Sequence, residues 1–146
     1  MVAEPTRGQL ERALGQRIQT IFRDRIGQRP AKAICQMFDE SLTIVLEDTT
    51  SPAERTLIDV GKLDLAKQLR RHLQDSIKAA IQAEIAQIVE QDVLAVLIDA
   101  DLESGYASVT AILLAPPNVR DPQTIPKLKR EKIEGASDPT FAQAID

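Results

Sequence analysis

The feature that most constrains this chain is a run of aliphatic residues at helical spacing. Leu65, Leu69, Leu73, Ile77, Ile81, Ile85 and Ile88 follow one another at steps of four, with a last step of three. Only an α-helix places such residues on one face. The pattern holds from about Lys62 to Glu90, so the helix spans about 28 residues and roughly 42 Å at 1.5 Å per residue. That is more helix than a small domain needs. Part of it is therefore expected to project or to pack against a second copy.

What precedes this helix is the sharpest local signal in the chain. In Ser51-Pro52-Ala53-Glu54, the Ser51 hydroxyl can accept from the Glu54 amide while the Glu54 carboxylate accepts from the Ser51 amide. Pro52 occupies the first helical position, where a missing N–H costs nothing. A helix is predicted to start here and include Leu57 and Ile58, with Gly61 as a kink or short break before the long stripe. An earlier helix is expected from about Gln9 to Ile26, on the stripe Leu10, Leu14, Ile18, Ile21, Phe22 and Ile26. Thr6 caps its start and Gly27 ends it. Pro30 then begins extended chain.

Each helical region is followed by a hairpin. Residues 31–38 and 42–47 read as strands around the turn Asp39-Glu40-Ser41; Leu42, Ile44 and Leu46 alternate with Thr43, Val45 and Glu47. Residues 93–100 and 107–114 read as a second pair around the polar turn 101–105, with Val109, Ala111 and Leu113 opposite Ile112 and Leu114. The predicted fold class is α+β in the order helix–hairpin–helix–hairpin (αββαββ). Its expected core is a four-stranded antiparallel sheet with helices on one face, the long helix packed on it. The last two strands are apolar on both faces, which calls for cover on both sides. One chain has too few helices to supply it, so a homodimer is expected.

The chain divides into a domain at residues 1–115 and a Pro-rich tail at 116–146, expected to be flexible. Pro116-Pro117 ends the patterned region, and Pro122, Pro126 and Pro139 follow. Within the tail, Lys127, Lys129, Arg130 and Lys132 form a basic cluster, and Phe141 is an aromatic anchor. Lys127, Lys129, Arg130 and Phe141 are the candidate partner-binding residues.

Chemistry is harder to find. A net charge of −4 argues against a nucleic-acid binder held by a broad basic surface, and three Phe, one Tyr and no Trp leave little for base stacking. The longest apolar run, Val93 to Ile98, is far below the roughly 20 residues of a membrane helix. Met1 to Gly8 lacks an apolar stretch of the signal-peptide type, so a cytoplasmic protein without direct membrane insertion is expected. Cys35 is the only cysteine, consistent with a reducing compartment. Its neighbours Ile34, Met37 and Phe38 suggest an inert, apolar site. His72 is the only histidine, lies beside Arg70 and Arg71, and has no orienting partner in view. It reads as a solvated helix residue; the pairs Arg23/Arg25 and Arg70/Arg71 could bind anions but read rather as solvated helix faces with local acidic partners. Asp99, Asp101 and Glu103 could hold Mg²⁺ or Ca²⁺, but acids near a turn ordinarily face water, and no metal or other cofactor is assigned. No phosphate-binding glycine loop occurs. No catalytic residue is nominated, and the chain is expected not to be an enzyme.

Taken in order, several motifs resemble one family. They are Gly27-x-x-Pro30, the strand ending Thr43-Ile44-Val45-Leu46-Glu47, the helix start Thr50-Ser51-Pro52-Ala53-Glu54 with Leu57, and the strand from Val93 to Asp101. Together they resemble the MpsC-like domain over roughly residues 6–114. The opening Thr6-Arg7-Gly8-Gln9-Leu10-Glu11 looks like a cyanobacterial branch. The resemblance implies no active site. It implies a soluble companion of membrane subunits in cation or bicarbonate uptake; with the two-sided strands, the overlong helix and the missing chemistry, the leading expectation is a homodimeric, non-catalytic adaptor that binds a membrane transporter subunit. Two alternatives stand beside it. One is an assembly chaperone that binds a partner's tail, for example a shell protein of the carbon-concentrating carboxysome. The other is a small enzyme or ligand sensor using Asp99, Asp101 or His72.

Overall fold

A computed structural model describes residues 4–127 of the chain. The first helix, α1 (Arg7–Arg25), begins with a capping box. The Thr6 hydroxyl accepts from the Gln9 amide at 3.1 Å, and the Gln9 side chain accepts from the Thr6 amide at 3.0 Å. It ends where Gly27 takes φ +94°, a conformation that costs glycine nothing, and donates back to the Phe22 carbonyl. Strands β1 (Lys32–Phe38) and β2 (Ser41–Glu47) form the first hairpin. The predicted second helix is two helices. A short α2 (Pro52–Asp59) is followed by Gly61 at φ +79°, and α3 (Leu63–Val89) then starts in a new direction. Strands β3 (Val93–Asp101) and β4 (Tyr106–Leu113) close the fold. The order is therefore αββααββ, with three helices.

The four strands form one antiparallel sheet in the order β1-β2-β4-β3. The two hairpins meet through β2 and β4, in a register that sets Ile44 opposite Val109 and Thr43 opposite Thr110. Strand alternation then decides the layers. Cys35, Met37, Leu42, Ile44, Leu46, Val96, Val109, Ala111 and Leu113 point to one face. There they meet Leu14, Ile18 and Phe22 of α1 and Ile77, Ile81 and Ile85 of α3 in a continuous core. Two helices lie on the sheet rather than the long one alone.

The chain does not leave the domain at Pro116-Pro117. Val119 and Ile125, both within the stretch assigned on sequence to the tail, are buried in that core. The Arg120 amide donates to the Pro5 carbonyl at 2.8 Å, and the Asp39 amide to the Pro126 carbonyl at 2.8 Å. Prolines at 116, 117, 122 and 126 limit the regular structure available to this stretch, yet Val119 and Ile125 still find apolar cover.

Candidate functional site: an uncovered sheet face beside a buried ion pair

The opposite face of the sheet has no helix on it among the described residues. It exposes Ile34 and Phe38 from β1, Val45 from β2, Leu97 from β3, and Tyr106 and Ile112 from β4. Ile34 is 51% exposed and Leu97 59%, values ordinarily found for polar side chains. Polar groups cross the same face between them. Thr43 and Thr110 share a hydrogen bond at 3.2 Å, and Lys32 pairs with Glu47 at 3.8 Å. The strands that read as apolar on both faces are thus covered on one and open on the other. At one end of the open face a depression of about 330 Å³ is floored by Val45, Ala107 and Ser108 and rimmed by Asp99, Asp101 and Tyr106.

A second feature lies behind this face, where α2 joins α3. Arg70 is 2% exposed and Glu54 is fully buried. Their side chains meet in a fork: Nη2 to Oε1 at 2.6 Å and Nε to Oε2 at 2.7 Å. Arg70 also donates to the Thr49 carbonyl and to Thr49 Oγ1, while Glu54 Oε1 accepts from the Ser51 amide at 2.8 Å. Burial alone would push the Glu54 carboxyl up. The hydrogen bonds from Arg70 and Ser51 outweigh it and hold the carboxyl below the usual carboxylate range. Close by, the Thr49 amide donates to the Gly105 carbonyl and Thr50 Oγ1 to the Leu102 carbonyl. The network ties the end of β2, the start of α2, the first half of α3 and the β3–β4 turn into one corner.

Arg70 corrects a reading made from sequence. It is no solvated basic residue; its neighbour Arg71 is the exposed member of the pair. The capping box was legible, but a helix-cap Glu that is also one half of a buried ion pair has no local signature, because its partner lies 16 residues away. The remaining candidates do not converge. His72 is exposed on α3. Asp99 and Asp101 are exposed at the rim of the depression, and the described residues hold no group of His, Cys, Asp and Glu side chains able to hold a metal ion. Cys35 is buried, and that burial, with Glu11 nearby, pushes its thiol up to about 12, so it is a poor nucleophile at neutral pH. Lys127 is exposed at the last described position. Lys129, Arg130 and Phe141 lie outside the described residues.

Residues 6–114 match the family described as the Na⁺-translocating membrane potential-generating system (MpsC). The chain belongs to that family. The match begins at the Thr6 cap and ends one residue past β4, so it takes in all three helices and the whole sheet. The family description points to a role in a Na⁺-translocating membrane-potential system. No helix among the described residues is long and apolar enough to cross a membrane. No curated protein and no solved structure is detectably similar to the chain.

Proposed function

We propose that this chain is a non-catalytic accessory protein of a Na⁺-translocating, membrane-potential-generating system. In this reading it works in the cytoplasm as a homodimeric adaptor linked to cation or inorganic-carbon uptake. The observation that carries the reading is the open sheet face. Aliphatic and aromatic side chains exposed in a row across four strands mark an interaction surface more readily than scattered apolar residues do. The occupant proposed for it is the aliphatic surface of a subunit of the same system. Family membership supports that choice, and so does the face itself, where apolar side chains alternate with hydroxyls and one ion pair, as in non-obligate interfaces.

The test is affinity purification of the full chain from detergent-solubilised membranes of its native cell. The wild type is expected to retain the membrane subunits of the cation-translocating system, and Ile34→Asp/Val45→Asp to lose them. Recovery of shell proteins in their place would move the reading to an assembly chaperone. A cell in which Asp99→Ala/Asp101→Ala/His72→Ala abolishes cation handling, with the protein folded and its partner still bound, would overturn the non-catalytic reading.

A further inference from the structure

The last described residues lie at the rim of the open face. Ile125 is buried in the core, on the helix side of the sheet. One residue on, the Pro126 carbonyl accepts from the Asp39 amide at 2.8 Å, and Lys127 is exposed. Asp39 belongs to the β1–β2 turn and follows Phe38, which stands on the open face and is 46% exposed. The chain has thus come from the covered side to the end of the sheet. Nineteen residues, 128–146, continue from there. At about 3.3–3.6 Å per residue they span up to about 65 Å. The open face measures only about 24 Å along its strands and about 19 Å across them. The segment is long enough to cross the face and return.

The strand registers order the open face in rows. Phe38, Ser41 and Ile112 form the row nearest the exit. Two rows on, Ile34 lies opposite Val45, Val45 opposite Ser108, and Ser108 opposite Asp99. Asp101, opposite Tyr106, is one row further. The acids therefore gather at the far end of β3, and aliphatic groups lie beside them on β1 and β2. Lys67 and Arg71 line a groove with Asp99 and Asp101, but neither acid is in an ion pair among the described residues.

We infer that residues 128–146 fold back over the open face and cover it while no subunit is bound, with Arg130 and Lys132 on Asp99 and Asp101 and Phe141 on Ile34 and Val45. The spacing fits. From Phe38 to Asp99 is about 20 Å, the diagonal of four residues and three strands. Six extended residues cover that distance, and Lys132 stands six residues after Pro126. Arg130, two residues earlier, makes up the difference with its long side chain. Phe141 follows beyond Gly135 and Asp138-Pro139, residue types that favour chain reversal. A return pass brings its ring over two aliphatic side chains.

Tethering favours the contact. A segment anchored at the rim meets the face at an effective concentration of about millimolar, so weak contacts suffice. A cover of that strength yields to a subunit with a larger surface. Displacement rests on the proposed function, since segment and subunit compete for the same side chains; the cover itself does not. A face covered about nine-tenths of the time weakens subunit binding about tenfold.

The test places a nitroxide on the full chain at Ala144→Cys and reads amide line broadening by NMR, with buried Cys35 left in place. At micromolar concentration the Val45 and Thr110 amides are expected to broaden far more than those of Ala13 and Gln16 on the exposed side of α1. Lys132→Glu and Phe141→Asp should each remove most of that broadening while the core resonances stay in place. Strand amides left sharp, or broadened only when an isotope-labelled chain is mixed with a separate nitroxide-labelled one, overturn the cover. In affinity purification from detergent-solubilised membranes, Phe141→Asp should retain about tenfold more of the membrane subunits than the wild type. Equal, substantial retention with the broadening present overturns the competition. Subunits missing from both, with the broadening present, overturn the proposed function and leave the cover standing. Subunits retained by the wild type without broadening do the reverse.

Discussion

The two faces of the sheet are built from the same strands and meet opposite fates. The covered face carries Met37, Leu42, Ile44, Leu46 and Val109, all almost wholly buried, under α1 and α3. The open face carries Ile34, Val45, Leu97 and Ile112, a residue away in each strand. The covered face is apolar throughout, whereas on the open face Gln36, Thr43, Ser108, Thr110, Asp99 and Asp101 stand among the apolar residues. Supply differs too: two amphipathic helices cover one side of the four-stranded sheet, and among the described residues no helix covers the other. An apolar side chain on this sheet is thus part of the core or part of a contact surface according to strand parity alone.

The comparison can be broken most sharply at the buried corner behind the covered face. Arg70→Met leaves the Glu54 carboxylate buried without its partner and should cost about 3–5 kcal/mol, read in urea denaturation. Arg70→Met/Glu54→Leu removes both charges and should recover most of that loss; equal destabilisation of single and double variants would show that the fork itself is not the source. Next comes packing. Ile81→Ala under the helices should cost about 2–5 kcal/mol, whereas Ile34→Ala on the open face should stay within about 0.5 kcal/mol. Similar losses at both sites would mean that the open face is buried as firmly as the core in the isolated protein.

Acid should weaken the covered side selectively. The Glu54 carboxyl is held below its unfolded value, so its contribution to stability is complete above the usual glutamate range and declines as pH falls through the folded value. Denaturation midpoints measured down to low pH should fall more steeply for the wild type than for Arg70→Met/Glu54→Leu. The smallest effect concerns reactivity. Cys35, raised to about 12, should react with a disulfide reagent at neutral pH at least tenfold more slowly than a cysteine placed at Ile34 in a Cys35→Ala background. Equal rates would show that β1 opens readily.

Much of this was legible in the residues. Helix limits came from caps with local chemistry: Thr6 with Gln9, Ser51 with Glu54, and glycine at 27 and 61. Strand faces came from alternation, as Leu42, Ile44 and Leu46 show. Less was legible where partners are distant. Arg70 looked like Arg71 in sequence, because both flank the same stripe, and only α2 folding back onto α3 turned one of them inward. Val119 and Ile125 lay among prolines without periodicity, and nothing local showed that the chain returns past α1 to the β1–β2 turn. The candidate site was half visible: the last two strands carried apolar residues on both faces, but nothing local showed that one face would stay uncovered.

By itself the sequence determined the elements and their order, with Gly61 read as a kink or short break, because caps, glycines and periodicity act over a few residues. It also determined that the last two strands would carry apolar residues on both faces. Only the tertiary structure decided that α1 and α3 share one face, that β2 and β4 are the inner strands, and that Arg70 is paired inside. Those outcomes depend on contacts between residues tens of positions apart, whose energies exist only once the chain has closed on itself.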